Sequence, residues 1–160
     1  MGMCAEHYTF PTLRRSHRQI IRKEIQMHVF LSMIPPTVTQ QEHRIGVSKT
    51  GKRYTYEQAE LKEARSDLRA HLSKHVPEAP MTKAVRLHVI WCFPIKGKHK
   101  DGEWKTSKPD TDNLNKMLKD VMTSLGFWKD DALVAAETIE KHWAEKPGIY
   151  IEWGEINGYT

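Results

Sequence analysis

The sharpest pattern in the chain lies at about 112–125. Leu114, Met117, Leu118, Val121, Met122 and Leu125 fall at i, i+3, i+4, i+7, i+8 and i+11, one face of an α-helix. Gly126 follows as a natural C-terminal stop, and Asp112 is a good N-cap candidate. Upstream, at 84–93, the period changes from helical to alternating. Val85, Leu87, Val89, Trp91 and Phe93 share one face, as in a half-buried strand.

The other elements are weaker but ordered. Met27–Leu31 reads as a first strand, broken at Ile34-Pro35-Pro36-Thr37 because proline lacks an amide donor. A ribbon follows at about 41–55, turning at Lys49-Thr50-Gly51-Lys52. Thr55 and Gln58 have capping-box spacing for a helix with a narrow stripe of Ala59, Leu61, Ala64, Leu68 and Leu72, ended by Pro77 and Pro80. Two strands close the chain, at about 132–143 and 149–153, with a turn near Lys146-Pro147-Gly148. The mixture predicts an α+β fold with a small mixed, largely antiparallel sheet and two main helices.

A length of 160 residues suits one domain with room for a real core. No run approaches the ~18 apolar residues of a membrane helix. Cys4 and Cys92 make neither a CxxC pair nor a zinc pattern, and no apolar leader precedes the domain, so a reducing cytoplasm is the expected compartment. Residues 1–26 differ from the rest. Arg14, Arg15, Arg18, Arg22 and Lys23 outnumber Glu6 and Glu24, and no clear period appears. They read as a basic tail, or as an extension upstream of a start at Met27. Residues 27–160 read as the domain.

The net charge of +5 argues only weakly for a polyanionic partner, and local clusters argue more. Arg44, Lys49, Lys52 and Arg53 surround the ribbon turn. Lys96, Lys98, Lys100, Lys105 and Lys108 lie in a Gly- and Pro-punctuated loop with His99 and Trp104. Such lysines can follow a phosphate backbone and one aromatic can stack on a base, so the loop suits a nucleic acid. The bland reading is a solvated, mobile loop.

That loop runs into Lys108-Pro109-Asp110-Thr111-Asp112-Asn113-Leu114-Asn115-Lys116. Asn113, Lys116 and Asp120 fall opposite the apolar stripe, and Trp128-Lys129-Asp130-Asp131 places two more carboxylates before the next strand. A strand packing back beside the helix would return Asp131 towards Asp110 and Asp112. Carboxylates brought together repel, and a hard cation is the usual remedy. Mg²⁺ commonly takes one or two carboxylates, waters and substrate phosphate. It can activate water and stabilise a phosphodiester transition state, and a lysine nearby offsets further charge.

Asp110-x-Asp112-Asn113-x-x-Lys116, followed by Trp128-Lys129-Asp130-Asp131, resembles the RusA family of Holliday-junction resolvases, widespread in phages and prophages. Ile34-Pro35-Pro36-Thr37 resembles the family's opening strand and turn, and the resemblance spans about 27–153. It implies a small homodimeric endodeoxyribonuclease of DNA recombination and repair. Such an enzyme is Mg²⁺-dependent, with Mn²⁺ as a substitute, and resolves four-way DNA junctions by paired symmetric nicks. By position, Asp110, Asp112 and Asp131 would bind the metal and Lys116 would be the catalytic lysine. Asp130 matches the first acid of the family's pair, with a less defined role. A two-fold dimer suits a substrate cut at two related strands.

The competing expectations are a nuclease selective for other branched DNA and a non-catalytic DNA-binding protein in which these aspartates are caps and surface charge. A PD-(D/E)xK nuclease ranks lower. Pro109-Asp110 mimics its first half, but Glu140-Lys141 has no residue between. His71 and His75 have zinc-like spacing without an accompanying acid and read as a solvated helix face.

Overall fold

The computed structural model describes residues 27–38, 44–47, 49–51, 53–56 and 59–156. The expected tail 1–26, Cys4, Lys52 and Gln58 lie outside the described residues.

The elements run β1 (Met27–Leu31), β2 (Arg44–Val47), β3 (Arg53–Tyr56), α1 (Ala59–Leu72), β4 (Val85–Pro94), α2 (Thr111–Leu125), β5 (Val134–Ala144) and β6 (Gly148–Glu155). Short 3₁₀ turns follow α1 at Ser73–His75 and precede β5 at Asp131–Leu133. Among the described residues, four strands form one sheet in the order β1-β6-β4-β5, and β2 pairs only with β3. β6 is antiparallel to both β1 and β4. β5 is parallel to β4, a connection that needs a crossover, and α2 supplies it. The expected α+β class, with a mixed sheet and two helices, is the one observed.

One sheet face carries the core. Val85, Leu87, Val89, Trp91 and Phe93 of β4 meet Ile149, Ile151 and Trp153 of β6, with α1 and α2 laid over them. Leu61, Leu68 and Leu72 are the buried residues of α1. Leu114, Met117, Leu118, Val121 and Met122 are the buried apolar residues of α2, each worth roughly 1.5–3 kcal/mol against exposure. Gly126 ends α2 at φ 89°, where its amide and that of Phe127 satisfy carbonyls of the last turn.

Two details differ from expectation. Thr55 lies inside β3, not at a helix N-cap, because ribbon pairing with Ile45 claims its backbone. β4 is buried on both faces in its second half. Ile90 and Cys92 pack with Ala144 and Tyr150 on the face away from the helices, as a central strand flanked on both sides allows.

Gly148 opens β6 directly beneath β1. A Cβ there would run into the Phe30 ring and stand 2.8 Å from the Leu31 carbonyl oxygen. The ring can swing away but the carbonyl cannot. Gly148→Ala should therefore loosen the β1–β6 pairing and cost about 1–3 kcal/mol, read as a lower urea midpoint.

Candidate active site

The site is built where the chain enters α2. Asp110 is the N-cap residue, with φ −76° and ψ 147°, and its carbonyl accepts the first helical bond from Leu114 N at 3.2 Å. Its side chain makes no capping hydrogen bond. An aspartate here would usually stabilise the helix by about 1 kcal/mol through that bond, so the carboxylate is left for other work. Asp112, expected as the cap, lies inside the first helical turn. There it favours the helix dipole without closing the end. Lys116 follows Asp112 by four residues and shares its face. Asp110, Asp112 and Lys116 are all exposed, and among the described residues no side-chain hydrogen bond or ion pair engages Asp112 or Lys116.

Asp131 is not returned to this pair. Lys141 Nζ reaches the Pro109 carbonyl, whereas Glu137, four residues earlier on β5, meets Asn115 and Lys119. Advancing along β5 therefore retreats along α2. The strand brings its end, not its beginning, to the helix start. Asp131 sits in the 3₁₀ turn before β5, at the other end of a 15-residue helix that rises about 1.5 Å per residue, so roughly 20 Å separates the two positions. Within one chain, no group of three His, Cys, Asp or Glu among the described residues could hold a metal. Asp130 is already engaged: its Oδ1 accepts from Ala132 N at 2.8 Å and caps the turn. Trp128 props that turn, buried with Nε1 donating to Thr123 Oγ1 at 2.7 Å. Asp131 itself is exposed.

The lysine loop is neither uniform nor loose. Gly102 N and Lys105 N donate to the carbonyls of Trp143 and Lys141, and Trp143 N donates to Glu103 O, so the loop runs as an extra rail along the β5 edge. His99 stacks on Trp143 and bonds Glu103 Oε1 at 2.8 Å, which with the Lys100 amide holds the Glu103 carboxyl below its usual range. Lys49, Lys96, Lys98, Lys100 and Lys108 are exposed, as is Trp104, which leans on His142. Arg44 and Arg53 lie in the ribbon, at its two strands.

Lys105 departs from the expectation of a DNA-facing side chain. It is 7% exposed and turned inward, with Nζ 5.0 Å from the Phe93 ring centre and 4.9 Å from that of Trp143. Three acceptors take up its ammonium: Ser107 O at 3.0 Å, Ser107 Oγ at 2.6 Å and the Lys108 carbonyl. Burial pushes its pKa down, and the nearby charges of Lys141 and Lys96 push the same way. Burial also lowers Lys141, opposed by the charge of Asp110 beside it.

Two more side chains escaped the sequence pattern. Asn113, expected on the polar face, is buried. Asn115 is buried too, accepting from Trp91 Nε1 at 3.4 Å and donating to Glu137, which ties α2 to β4 and β5. Asp120 is drawn towards Arg65 of α1 at 3.9 Å and so belongs to the helix–helix seam.

Residues 33–153 match the family model described as Endodeoxyribonuclease RusA. The chain belongs to the RusA family of endodeoxyribonucleases. A crossover junction endodeoxyribonuclease rusA of Lactococcus phage r1t is 36% identical over 124 residues, covering 76% of this chain and 91% of the phage protein. The RusA match takes in both helices and the whole acidic stretch, with Asp110, Asp112, Lys116 and Asp131 inside it. The PD-(D/E)xK likeness is half realised in space, since Lys141 does stand beside Pro109-Asp110. The position two before it, where that pattern needs an acid, is Ile139, packed against the core. No helix among the described residues of this RusA chain is long and apolar enough to cross a membrane.

Proposed function

We propose that this RusA-family chain resolves four-way DNA junctions as a homodimer, by paired nicks that need Mg²⁺. The observation that carries the reading is the entry to α2. There Asp110 withholds its carboxylate from capping and stands two residues from Asp112 on an exposed first turn.

Two open carboxylates beside exposed lysines fit a hard cation that takes one or two carboxylates and completes its shell with water and phosphate. Asp110 and Asp112 would hold it. Bound there, it would supply an activated water and neutralise charge at the scissile phosphate. Lys116, one turn along the same face, offsets charge building on that phosphate. Lys49, Lys96, Lys98, Lys100 and Lys108 would take backbone phosphates away from the cut, with Arg44, Lys52 and Arg53 extending the contact along the ribbon. Lys105 has no part in that contact.

The third carboxylate requires a second protomer. Asp131 lies too far along α2 to join its own chain's pair, whereas a two-fold partner can present its Asp131 to Asp110 and Asp112 and receive the same in return. A dimer of this kind has two equal sites, which suits symmetric nicking.

The direct test sets a synthetic four-way junction against matched linear duplex, in Mg²⁺ and in EDTA. Paired nicks in the junction alone, present with Mg²⁺ and absent with EDTA, are expected. Junction binding without cutting under any condition would move the chain to the DNA-binding reading. Cutting of flaps or forks as fast as junctions would move it to a broader branched-DNA nuclease.

A further inference from the structure

The three peptide carbonyls that lead into Asp110 are held by ammonium groups rather than by backbone amides. Ser107 O accepts from Lys105 Nζ at 3.0 Å and from Lys141 Nζ at 2.8 Å. Lys108 O accepts from Lys105, and Pro109 O accepts from Lys141 Nζ at 2.6 Å. The two lysines are joined in turn, Lys105 N donating to Lys141 O at 2.9 Å. Lys141 is carried by β5, and Lys105 is seated between aromatic rings of β4 and β5. Both anchor points are therefore regular sheet.

A buried lysine is costly unless its charge is matched, and a loop staple could be made more cheaply with neutral groups. What this arrangement achieves is specific to its position. At most helix starts the N-cap side chain pins the entry through its own hydrogen bond. Asp110 makes no such bond. The clamp does that work from behind, through the backbone of 107–109, and leaves the carboxylate facing outward.

We propose that Lys105 and Lys141 are positioning residues of the nuclease site: together they fix the 107–109 backbone so that Asp110 and Asp112 are held ready for a divalent cation. The inference rests on the metal-binding reading of Asp110 and Asp112 given above. It assigns neither lysine a contact with DNA or with the reacting atoms. It also carries a sign that a simple charge effect cannot imitate. Removing a cation beside two carboxylates should by Coulomb's law tighten cation binding. Loss of positioning should weaken it, and partners that orient metal ligands typically matter roughly 10–100-fold.

The test is Mn²⁺ titration of the full chain without DNA, with free Mn²⁺ followed by electron paramagnetic resonance. The proteins are wild type, Lys105→Met, Lys141→Met, Lys141→Arg and the double change Asp110→Asn with Asp112→Asn. Methionine keeps an unbranched chain between the rings but has no donor. Both methionine variants are expected to bind Mn²⁺ roughly tenfold more weakly or worse, Lys141→Arg to recover most of the loss, and the double aspartate variant to lose the site. Junction turnover should fall in kcat with KM nearly unchanged. If Lys105→Met does not fold, Lys141→Met decides alone, because its side chain is only half-buried. Lysine variants that bind Mn²⁺ as tightly as wild type, or more tightly, overturn the clamp while leaving the metal site standing. Wild type that binds Mn²⁺ no better than the double aspartate variant overturns the metal reading and the clamp's purpose with it.

Discussion

Asp112→Asn should slow junction cutting by on the order of a thousandfold or more, the scale lost when a group acting on transition-state charge is removed. The substitution is nearly isosteric. Asp112 is exposed in the first turn of α2 and, among the described residues, its side chain has no hydrogen-bond or ion-pair partner to lose. The fold should therefore survive, and thermal unfolding should move little. Binding follows a different sign. A carboxylate repels phosphate, so its loss should leave junction affinity in EDTA intact or slightly improved, with the salt dependence set by the untouched lysines. Single-turnover cleavage in Mg²⁺ together with a gel shift in EDTA reads both. A variant that cuts at the wild-type rate removes Asp112 from the site.

The second large effect is a gain. Asp112→Asn and Asp131→Asn chains, each inactive alone, should recover cutting when mixed and allowed to exchange subunits. In the mixed dimer one site combines both changes. The other site takes Asp110 and Asp112 from the Asp131→Asn chain and an intact Asp131 from its partner. With random exchange about half of the dimers are mixed, and each has one working site. The expected product is a nicked junction rather than a resolved one, because resolution needs two cuts. Recovery is impossible if all three carboxylates must come from one chain. Mixtures that stay inactive after proven exchange, shown with differently tagged chains, would therefore remove Asp131 from the composite site. The roughly 20 Å length of α2 makes the single-chain arrangement the harder one to build.

Much of the fold was legible because its signals are local. The 3.6 period of α2, the alternation of β4 and the stop at Gly126 each follow from which residues neighbour one another along a regular backbone. The β2–β3 turn and the two closing strands were visible for the same reason. Asp110, Asp112 and Lys116 were legible as a unit because one helix entry holds all three.

What sequence could not supply was direction and depth. Asp131 follows α2 closely in the chain, and nearness in sequence looked like nearness in space. A strand that packs back along a helix reverses that order, so Lys141 arrives beside Asp110 and Asp131 stays at the far end. Lys105 has no local mark that separates it from Lys96, Lys98, Lys100 or Lys108. It is buried because its loop runs along β5 and meets two aromatic rings brought side by side by a parallel pairing. Asn113, assigned to the polar side by helical spacing, and Asn115 are likewise covered, and only the width of the α2 contact with the sheet decides it. The amino-acid order by itself determined the helices, the strands and the carboxylate pair, since these depend on contacts a few residues apart. The tertiary structure alone decided which lysine faces inward and that Asp131 does not fold back to Asp110, since both depend on where distant segments meet.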